Sequence, residues 1–274
     1  MNLAARGMPA TIGDGEWQNF QERGYLRLGP VVSGEELQGL RGRIDRIMMG
    51  EASVPYGRMM MQLDTSSGLY KDMDPQTMGH KGATLAYRKI QGLEFDPLFL
   101  AYMQKPLFRH LCARAYGEAA PVSVFRAMFM NKPAGQGTVL PWHRDFFGQM
   151  DRPPRITAWL ALDGATRENG CIEVLEGSHR FFPAGDTTVF PDEERTAEIL
   201  AEHKNEALEC PAGHAILLHN NMLHTSAVNP TGSPRRAFSV CYMDGRARAK
   251  NGAAFSRVFG PGALRPDLAT NRPG

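Results

Sequence analysis

The sequence lacks several features that would place it in large classes of protein. Its 274 residues contain no apolar run of about 18 residues, the minimum for a membrane-spanning helix. Its formal net charge is only +2, so electrostatics give no reason to expect binding to nucleic acid or to a membrane surface. Its four cysteines include no C-x-x-C pair, which predicts reduced, mostly buried thiols. Without a signal pattern at the N-terminus, we expect a cytoplasmic location.

What the sequence contains is the composition of an ordinary globular protein, with 42% hydrophobic and 22% charged residues. We expect one domain over residues 1–274. Residues 1–13 are expected to form a mobile tail and residues 260–274 an irregular tail. The segment 50–82 combines Gly, Pro and Ser with little periodicity, which is typical of a lid over a substrate site.

Helical signals lie in the first half of the chain. Asp14 is expected to cap a helix that ends near Gly24, and Ser33 to cap a helix over residues 35–48. Residues 96–115 predict a second helical block that Pro106 interrupts. Between the first two helices, the alternation at 25–28 predicts a strand.

From residue 122 onward the sequence becomes β-rich. Short alternating segments separated by Gly, Pro and Asn turns predict strands at 122–131, 156–162, 171–175, 215–218 and 237–243. Strands without alternating helices favour an antiparallel sandwich or jelly roll, with residues 181–209 as a polar helical insertion. The predicted fold is therefore mainly β with flanking helices.

The segment Trp142-His143-Arg144-Asp145, together with the distant His224, predicts a metal site. Side chains two residues apart lie on the same face of a strand, so His143 and Asp145 could reach one ion. Two imidazoles and one carboxylate suit Fe(II), Mn(II) or Zn(II), and three ligands on one face leave the opposite coordination positions open. His219, at a polar strand end, is the one serious alternative to His224.

An anion-binding pattern follows His224. Ser226 and Arg235 place a hydroxyl and a guanidinium downstream of the histidine, as a site for a dicarboxylate cosubstrate beside a metal would require. Arg235 and Arg236 should point to opposite faces of their strand, so that one of them enters the interior. Lys89 is a second candidate for a buried cation.

Candidate substrate residues come from two segments. Phe146, Phe147, Gln149 and Arg155 follow the first ligand pair and could line the substrate mouth, although core packing explains the two phenylalanines equally well. Met60, within the methionine run 59–61 of the expected lid, could mould to an apolar substrate.

Several motifs occur in an order that resembles one family. They are Lys89-Ile90-Gln91, Met128-Phe129-Met130-Asn131-Lys132-Pro133, His143-Arg144-Asp145, Trp159, Gly177-Ser178-His179 and His224-x-Ser226 with Arg235. As a set, they are similar to the phytanoyl-CoA dioxygenase family of Fe(II)/2-oxoglutarate-dependent oxygenases, over residues 20 to about 243.

The resemblance implies a double-stranded β-helix, which is a jelly-roll core with helices packed on one side. It also implies roles for these residues. His143, Asp145 and His224 would bind iron. Arg235 and Ser226 would hold the distal carboxylate of 2-oxoglutarate, and Lys89, Met128 and Trp159 would line the cosubstrate pocket. It also implies an enzyme that uses O2 to hydroxylate, or otherwise oxidise, an unactivated C–H of a small molecule, with release of succinate and CO2.

Two other functions remain open on the sequence alone. A zinc-dependent hydrolase could use the same three ligands to activate water, but it has no use for Arg235 and Lys89 as an anion clamp. A non-catalytic jelly-roll binding protein should tolerate loss of the ligands, all three of which are present. Retention of Asp145 disfavours halogenation, for which family members carry a small residue there.

Overall fold

The computed structural model describes residues 8–183 and 185–267. The described part has five α-helices: α1 (Asp14–Arg23), α2 (Gly34–Met48), α3 (Pro97–Met103), α4 (Pro106–Tyr116) and α5 (Glu193–Glu202). None of these helices is both long enough and apolar enough to cross a membrane.

The strands of the described residues form two antiparallel sheets. The larger sheet contains nine of them: β1 (Tyr25–Pro30), β2 (Met60–Leu63), β3 (Thr77–Met78), β4 (Tyr87–Gln91), β5 (Val122–Lys132), β7 (Ile156–Ala161), β10 (His214–His219), β12 (Arg235–Asp244) and β13 (Arg257–Phe259). Its order is β1-β10-β7-β12-β5-β4-β2-β3, with β13 paired to β5. The smaller sheet has the order β6-β11-β8-β9, formed by β6 (Leu140–His143), β8 (Ile172–Leu175), β9 (Asn205–Leu208) and β11 (His224–Ser226).

Alternation along the strands of the larger sheet gives it two different faces. On β12, Phe238 and Val240 pack with the helices in the main apolar cluster, whereas Ala237 packs with residues of the smaller sheet. On β7, Leu160 and Trp159 divide between the same two clusters. The smaller sheet therefore covers one face and the helices cover the other, without closure into a barrel, and the prediction of a jelly roll with flanking helices is confirmed.

The helices form close to where their caps and apolar spacing predicted, although the N-cap of α1 is Gly13 and not Asp14. The Ser33 side chain accepts a hydrogen bond from the Glu36 backbone N–H at 3.1 Å and begins α2. Leu40, Ile44 and Ile47 on α2 are buried in the main apolar cluster. Pro106 divides the second helical block as expected, with α4 beginning at that residue. All four cysteines are buried and unpaired, as predicted.

The segment 50–82 differs from the predicted irregular lid. It contributes β2 and β3 to the larger sheet, and Met59 and Met61 are fully buried in the main apolar cluster. Met60 points outward, with 38% of its surface exposed. The methionine run is therefore mostly core, with Met60 and Met61 on opposite sides of strand β2. A lid formed by other residues of 50–82 stays a prediction.

The expected tails are only partly described. Residues 1–7 and 268–274 lie outside the described residues. Ile12 is buried in the main apolar cluster, and its carbonyl oxygen lies 3.2 Å from His110 Nε2. The last part of the expected mobile tail, 1–13, therefore packs against the rest of the protein. Residues 260–267 contain turns and no helix or strand, as expected.

Candidate metal centre

The two histidines of the predicted metal site face each other across two neighbouring strands. His143 is the last residue of β6 and His224 the first of β11, and the two are directly paired in the antiparallel register. Their ring centroids lie 4.1 Å apart. Directly opposed residues on one face bring side chains together, so the strand pairing itself builds the two-imidazole half of the site.

Asp145 completes the cluster from outside the strand. Its backbone N–H donates to the Asn220 carbonyl at 2.8 Å, which holds the loop after β6 against the end of β10. Donor atoms of His143, Asp145 and His224 all lie within 4.8 Å of one another. The grouping agrees with the prediction, but the reason differs: Asp145 reaches the site through a loop contact, since β6 ends two residues earlier.

The imidazoles are oriented as metal ligands. His143 Nδ1 lies 2.9 Å from the Pro141 carbonyl oxygen, and His224 Nδ1 lies 3.0 Å from that of Met222. Each contact favours the tautomer with the proton on Nδ1, which donates to the carbonyl. Nε2 of both rings then keeps its lone pair for a metal ion.

The protonation states also suit a cation. Burial, and then the neighbouring His224, lowers the pKa of His143 to about 3, so this imidazole is neutral at physiological pH. Burial alone would raise the pKa of Asp145, but Arg126 and the two imidazoles outweigh it, and the pKa is lowered. A neutral imidazole and an ionised carboxylate are the forms that bind a divalent metal.

His219, the alternative to His224, belongs to a different pair. Its ring centroid lies 4.8 Å from that of His179, and its Nδ1 accepts a hydrogen bond from the Asn221 backbone N–H at 3.2 Å. His219 is not part of the cluster that Asp145 joins. The structure therefore favours His224 as the third ligand.

Arg235 is a buried cation to which no other described residue supplies an anionic partner. Its residue surface is only 4% exposed, and its Nε has no hydrogen-bond partner among the residues that the structure describes. Its Cζ lies 5.8 Å from the Trp159 ring centroid, where the indole Nε1 is likewise buried and unpartnered. Burial lowers the pKa of Arg235 to about 10, which still leaves it charged at neutral pH. A buried guanidinium is costly unless an anion pairs with it, so this position fits a ligand carboxylate.

Arg236 has the opposite environment. It donates to Asp163 at 2.7 Å and to Asp45 at 2.5 Å on the helix side of the sheet. The two neighbouring arginines therefore point to opposite faces, as predicted, and Arg235 is the one that enters the interior.

One cavity of about 90 Å³ joins these features between the two sheets. Every residue predicted for the metal or the cosubstrate lines it: Lys89, Met128, His143, Asp145, Trp159, His224, Ser226 and Arg235. Burial, followed by the nearby Arg88, lowers the pKa of Lys89 to about 7. Basic side chains thus surround the Asp145 carboxylate in this cavity, and Lys89 is partly neutral at physiological pH.

Of the five predicted substrate residues, two lie beside the candidate metal ligands and three do not. Phe146 and Phe147 line an adjoining outer cavity of about 160 Å³ that also includes His143 and Asp145. Arg155 instead lies over the Tyr116 ring and lines a separate pocket with His219. Gln149 and Met60 line neither the inner nor the outer cavity.

Sequence reasoning missed several residues of the site. Arg126, Met130 and Lys132 line the inner cavity beside Met128, because every second residue of β5 faces inward. Extending the alternation from Met128 would have found them. Phe190 stacks on His143 with ring centroids 5.4 Å apart, but it comes from an irregular loop with no periodic signal.

Comparison with known proteins gives the same family that the ordered sequence motifs resemble. A family model described as phytanoyl-CoA dioxygenase (PhyH) matches residues 20–237. A phytanoyl-CoA dioxygenase of Arabidopsis thaliana is 26% identical over 271 residues, covering 89% of this chain and 94% of that protein. An L-proline trans-4-hydroxylase of Streptomyces griseoviridis is 25% identical over 245 residues, covering 80% of this chain and 82% of that protein.

Solved structures share the fold. EctD from S. alaskensis, crystallised with 2-oxoglutarate and 5-hydroxyectoine, matches with a TM-score of 0.63 and 22% identity over 95% of this chain and 84% of that chain. The non-heme alpha ketoglutarate dependent carbocyclase SnoK, from nogalamycin biosynthesis, gives a TM-score of 0.64 and 18% identity over 87% of both chains.

The matches and the His-Asp-His cluster define an oxygenase of the iron- and 2-oxoglutarate-dependent class. The chain belongs to the phytanoyl-CoA dioxygenase family, because the family model spans most of its length. The resemblance inferred from the ordered motifs is thereby confirmed.

Proposed function

We propose that this protein oxidises an unactivated C–H bond of a small organic molecule, most simply by hydroxylation, with release of succinate and CO2 from 2-oxoglutarate. One observation carries the proposal. The buried, unpartnered Arg235 lines the same cavity as His143, Asp145 and His224. A set of three metal ligands alone suits several chemistries. A dicarboxylate cosubstrate also requires a cation beside the metal to bind its second carboxylate.

His143, Asp145 and His224 are the proposed iron ligands. The backbone carbonyls of Pro141 and Met222 fix the two imidazoles with Nε2 free. When bound, iron together with 2-oxoglutarate supplies the oxidising chemistry. The chain's own task is to hold three ligands on one side, so that the remaining coordination positions stay open to cosubstrate and O2.

Arg235 and Ser226 are the proposed partners of the distal carboxylate. Both are buried, and Ser226 lies two residues after His224 on β11. Trp159 provides a ring against the guanidinium and an unpartnered N–H. Lys89 and Met128 are proposed to line the remaining wall, with Lys89 as a second cation.

A buried arginine restrains the loop that covers the iron ligands. Arg144 donates to the Thr188 carbonyl at 2.6 Å and to Asp186 Oδ1 at 2.9 Å. The loop then carries Phe190 onto the face of His143. We propose that this packing excludes water from one side of the ligand cluster.

The substrate is proposed to be a small molecule that enters through the outer cavity beside Phe146 and Phe147. We further propose that residues 1–274 act as one oxygenase domain, since the cavity draws its walls from both sheets. Small-molecule chemistry fits relatives that include the L-proline hydroxylase.

Anaerobic reconstitution followed by exposure to O2 tests the proposal. Protein loaded with Fe(II) and 2-oxoglutarate should form succinate slowly even without substrate, whereas Zn(II)-loaded protein should form none. Hydrolysis of ester or amide substrates by the Zn(II) form, without succinate from the Fe(II) form, would instead support a zinc hydrolase. Binding of metal and ligand without any turnover of 2-oxoglutarate would support a non-catalytic binding protein.

A further inference from the structure

Arg126 occupies a special position on β5, at the boundary of the two cavities. It lines both the inner cavity and the outer one. The register of β5 with β12 shifts here: Cys241 pairs with Arg126, but the next residue, Tyr242, pairs with Val124. Phe125 is therefore an extra residue in the strand. Such bulges redirect side chains and are frequent beside active sites.

Aromatic rings hold the Arg126 side chain in place. Its Cζ lies 4.5 Å from the Phe147 ring centroid and 5.3 Å from that of Phe125. The two rings pack together at 4.1 Å. A guanidinium fixed by ring contacts loses little further freedom when it binds a ligand.

The hydrogen-bond donors of Arg126 are nevertheless almost unused. Its nearest anionic neighbour is Asp145 Oδ1, 3.6 Å from Nη2, which is longer than a hydrogen bond. Its side chain is 25% exposed, and no hydrogen bond joins it to another described residue. A planar fork of donors therefore faces the space next to the proposed iron ligands.

The other basic side chains at the site have partners or a proposed role. Arg144 is held by Asp186 and Thr188, Arg88 donates to Gln62 Oε1 at 3.1 Å, and Lys132 donates to the Thr138 carbonyl at 2.6 Å. Arg235 and Lys89, which also lines both cavities, are assigned to the cosubstrate. Among the described residues, Asp145 is the one acidic side chain that lines either cavity. The described residues thus give the positive charge of Arg126 no full counterion.

Apolar rings surround the space in front of this guanidinium. Tyr70, Phe146 and Phe190 line the outer cavity together with Arg126 and Phe147. Rings on the walls and one fixed guanidinium at the inner end suit an apolar body that carries one planar anion.

We propose that Arg126 is a specificity-determining residue that binds a carboxylate of the substrate, while the apolar body of the substrate packs against Tyr70, Phe146 and Phe190. The inference rests on the proposed oxygenase function and names the substrate class of that same site. The competing role for Arg126 is to orient the Asp145 carboxylate, which predicts an effect on the metal and none on substrate charge.

Calorimetry with matched probes distinguishes the two roles. Protein loaded anaerobically with Fe(II) and saturating 2-oxoglutarate is titrated with 3-phenylpropanoate and with its neutral amide, and then with cyclohexanecarboxylate and its amide. The acids should bind at least about tenfold more tightly than the amides, as expected for a charge-assisted pair. Arg126→Gln should abolish the preference, and Arg126→Lys should keep part of it.

Arg152→Gln is the matched control. Arg152 also makes a loose ion pair, 3.7 Å to Asp244, but its side chain is 58% exposed and lies outside both cavities. This substitution should leave the preference for acids unchanged.

Separate outcomes would overturn the inference. Equal binding of acids and amides by the wild type, or no binding of either acid, would show that Arg126 does not select a carboxylate. Weakened Fe(II) binding in Arg126→Gln with the acid preference intact would show that Arg126 orients the Asp145 carboxylate instead. A preceding titration of the wild type with 2-oxoglutarate tests the proposed function itself, which failure to bind would refute. Intact 2-oxoglutarate binding without a preference for acids would refute only the role of Arg126.

Discussion

The two faces of the larger sheet differ in what they leave unsatisfied. On the helix side, Phe238 of β12 packs against Phe99 and Tyr102 of α3, with ring centroids 4.7 and 5.6 Å apart. On the cavity side, Arg235 of the same strand and Trp159 of β7 keep buried polar atoms without partners. Among the described residues, the helix face also leaves a buried polar atom without a partner, the neutral Tyr102 hydroxyl, whereas the cavity face leaves part of a charged guanidinium that a ligand anion could pair with.

The difference separates stability from function. Burial of apolar side chains against the helices provides the main favourable term for folding. The cavity side works against folding, since buried cations without partners cost free energy. Ligands that bind only the folded state should therefore stabilise this protein by supplying the missing anions and metal.

The largest expected effect lies on the cavity side. Asp145→Ala removes the one anionic ligand and should abolish coupled oxidation, with metal affinity lowered more than about 100-fold, beyond the usual effect of losing a residue that only supports a ligand. The fold should persist, because Asp145 lies in a loop after β6. Metal analysis measures the metal affinity and 2-oxoglutarate consumption measures the oxidation. Circular dichroism is the control for the fold. Unchanged turnover would contradict the iron assignment.

The helix side predicts the reverse pattern. Phe238→Ala should destabilise the protein by about 3–5 kcal/mol through the cavity that it leaves in the core. Cosubstrate affinity of the remaining folded protein should change little, since Phe238 faces away from the cavity. Urea unfolding and calorimetry check the two parts, with Phe238→Leu as a milder control. A selective loss of 2-oxoglutarate binding would show that the two faces are not independent.

A smaller effect concerns pH. Burial lowers the pKa of Lys132 from 10.5 to about 6, so between these values the unfolded chain binds a proton that the folded chain does not. In the ligand-free protein, the free energy of unfolding should therefore rise with pH across this window, by at most about 1.4 kcal/mol per pH unit for this lysine.

Lys132→Met should make the dependence shallower. Urea unfolding of the wild type and the variant, at several values between about pH 6 and pH 9, measures the difference in slope. Identical slopes would show that Lys132 stays charged within the folded protein.

The smallest effect is expected at the methionine run. Met60→Ser should change stability by no more than about 0.5 kcal/mol, because its side chain points outward. Met61→Ser should cost several times more, since Met61 is fully buried. Thermal unfolding of both variants tests this. An equal loss of stability in the two variants would show that Met61 is not a core residue and would favour the run as part of a flexible lid.

The sequence predicted the elements whose signals are local. The Ser33 cap, the break at Pro106 and the alternation on β5 and β12 each act within a few residues, and each appears in the structure. The candidate metal ligands could also be predicted, because the His-x-Asp spacing and the downstream Ser226 and Arg235 form an ordered pattern.

Contacts between distant residues were not accessible from the sequence. Strand β2 forms by pairing with β4, so Met61 is placed in the core through Ile90, almost thirty residues away in the sequence. Asp145 reaches the cluster through Asn220, and Phe190 reaches His143 through the anchorage of its loop by Arg144. Arg155 follows the ligand pair in sequence, but its loop carries it to a different pocket.

The most direct test compares the neighbouring arginines at the start of β12. Calorimetric titration of 2-oxoglutarate into Fe(II)-loaded protein should show affinity lowered at least about tenfold, equivalent to about 1.4 kcal/mol, in Arg235→Ala. Arg236→Ala should bind 2-oxoglutarate like the wild type, because that side chain pairs with Asp163 on the opposite face. Equal cosubstrate affinity in the wild type and Arg235→Ala would contradict the account of the cavity as a 2-oxoglutarate site anchored by Arg235.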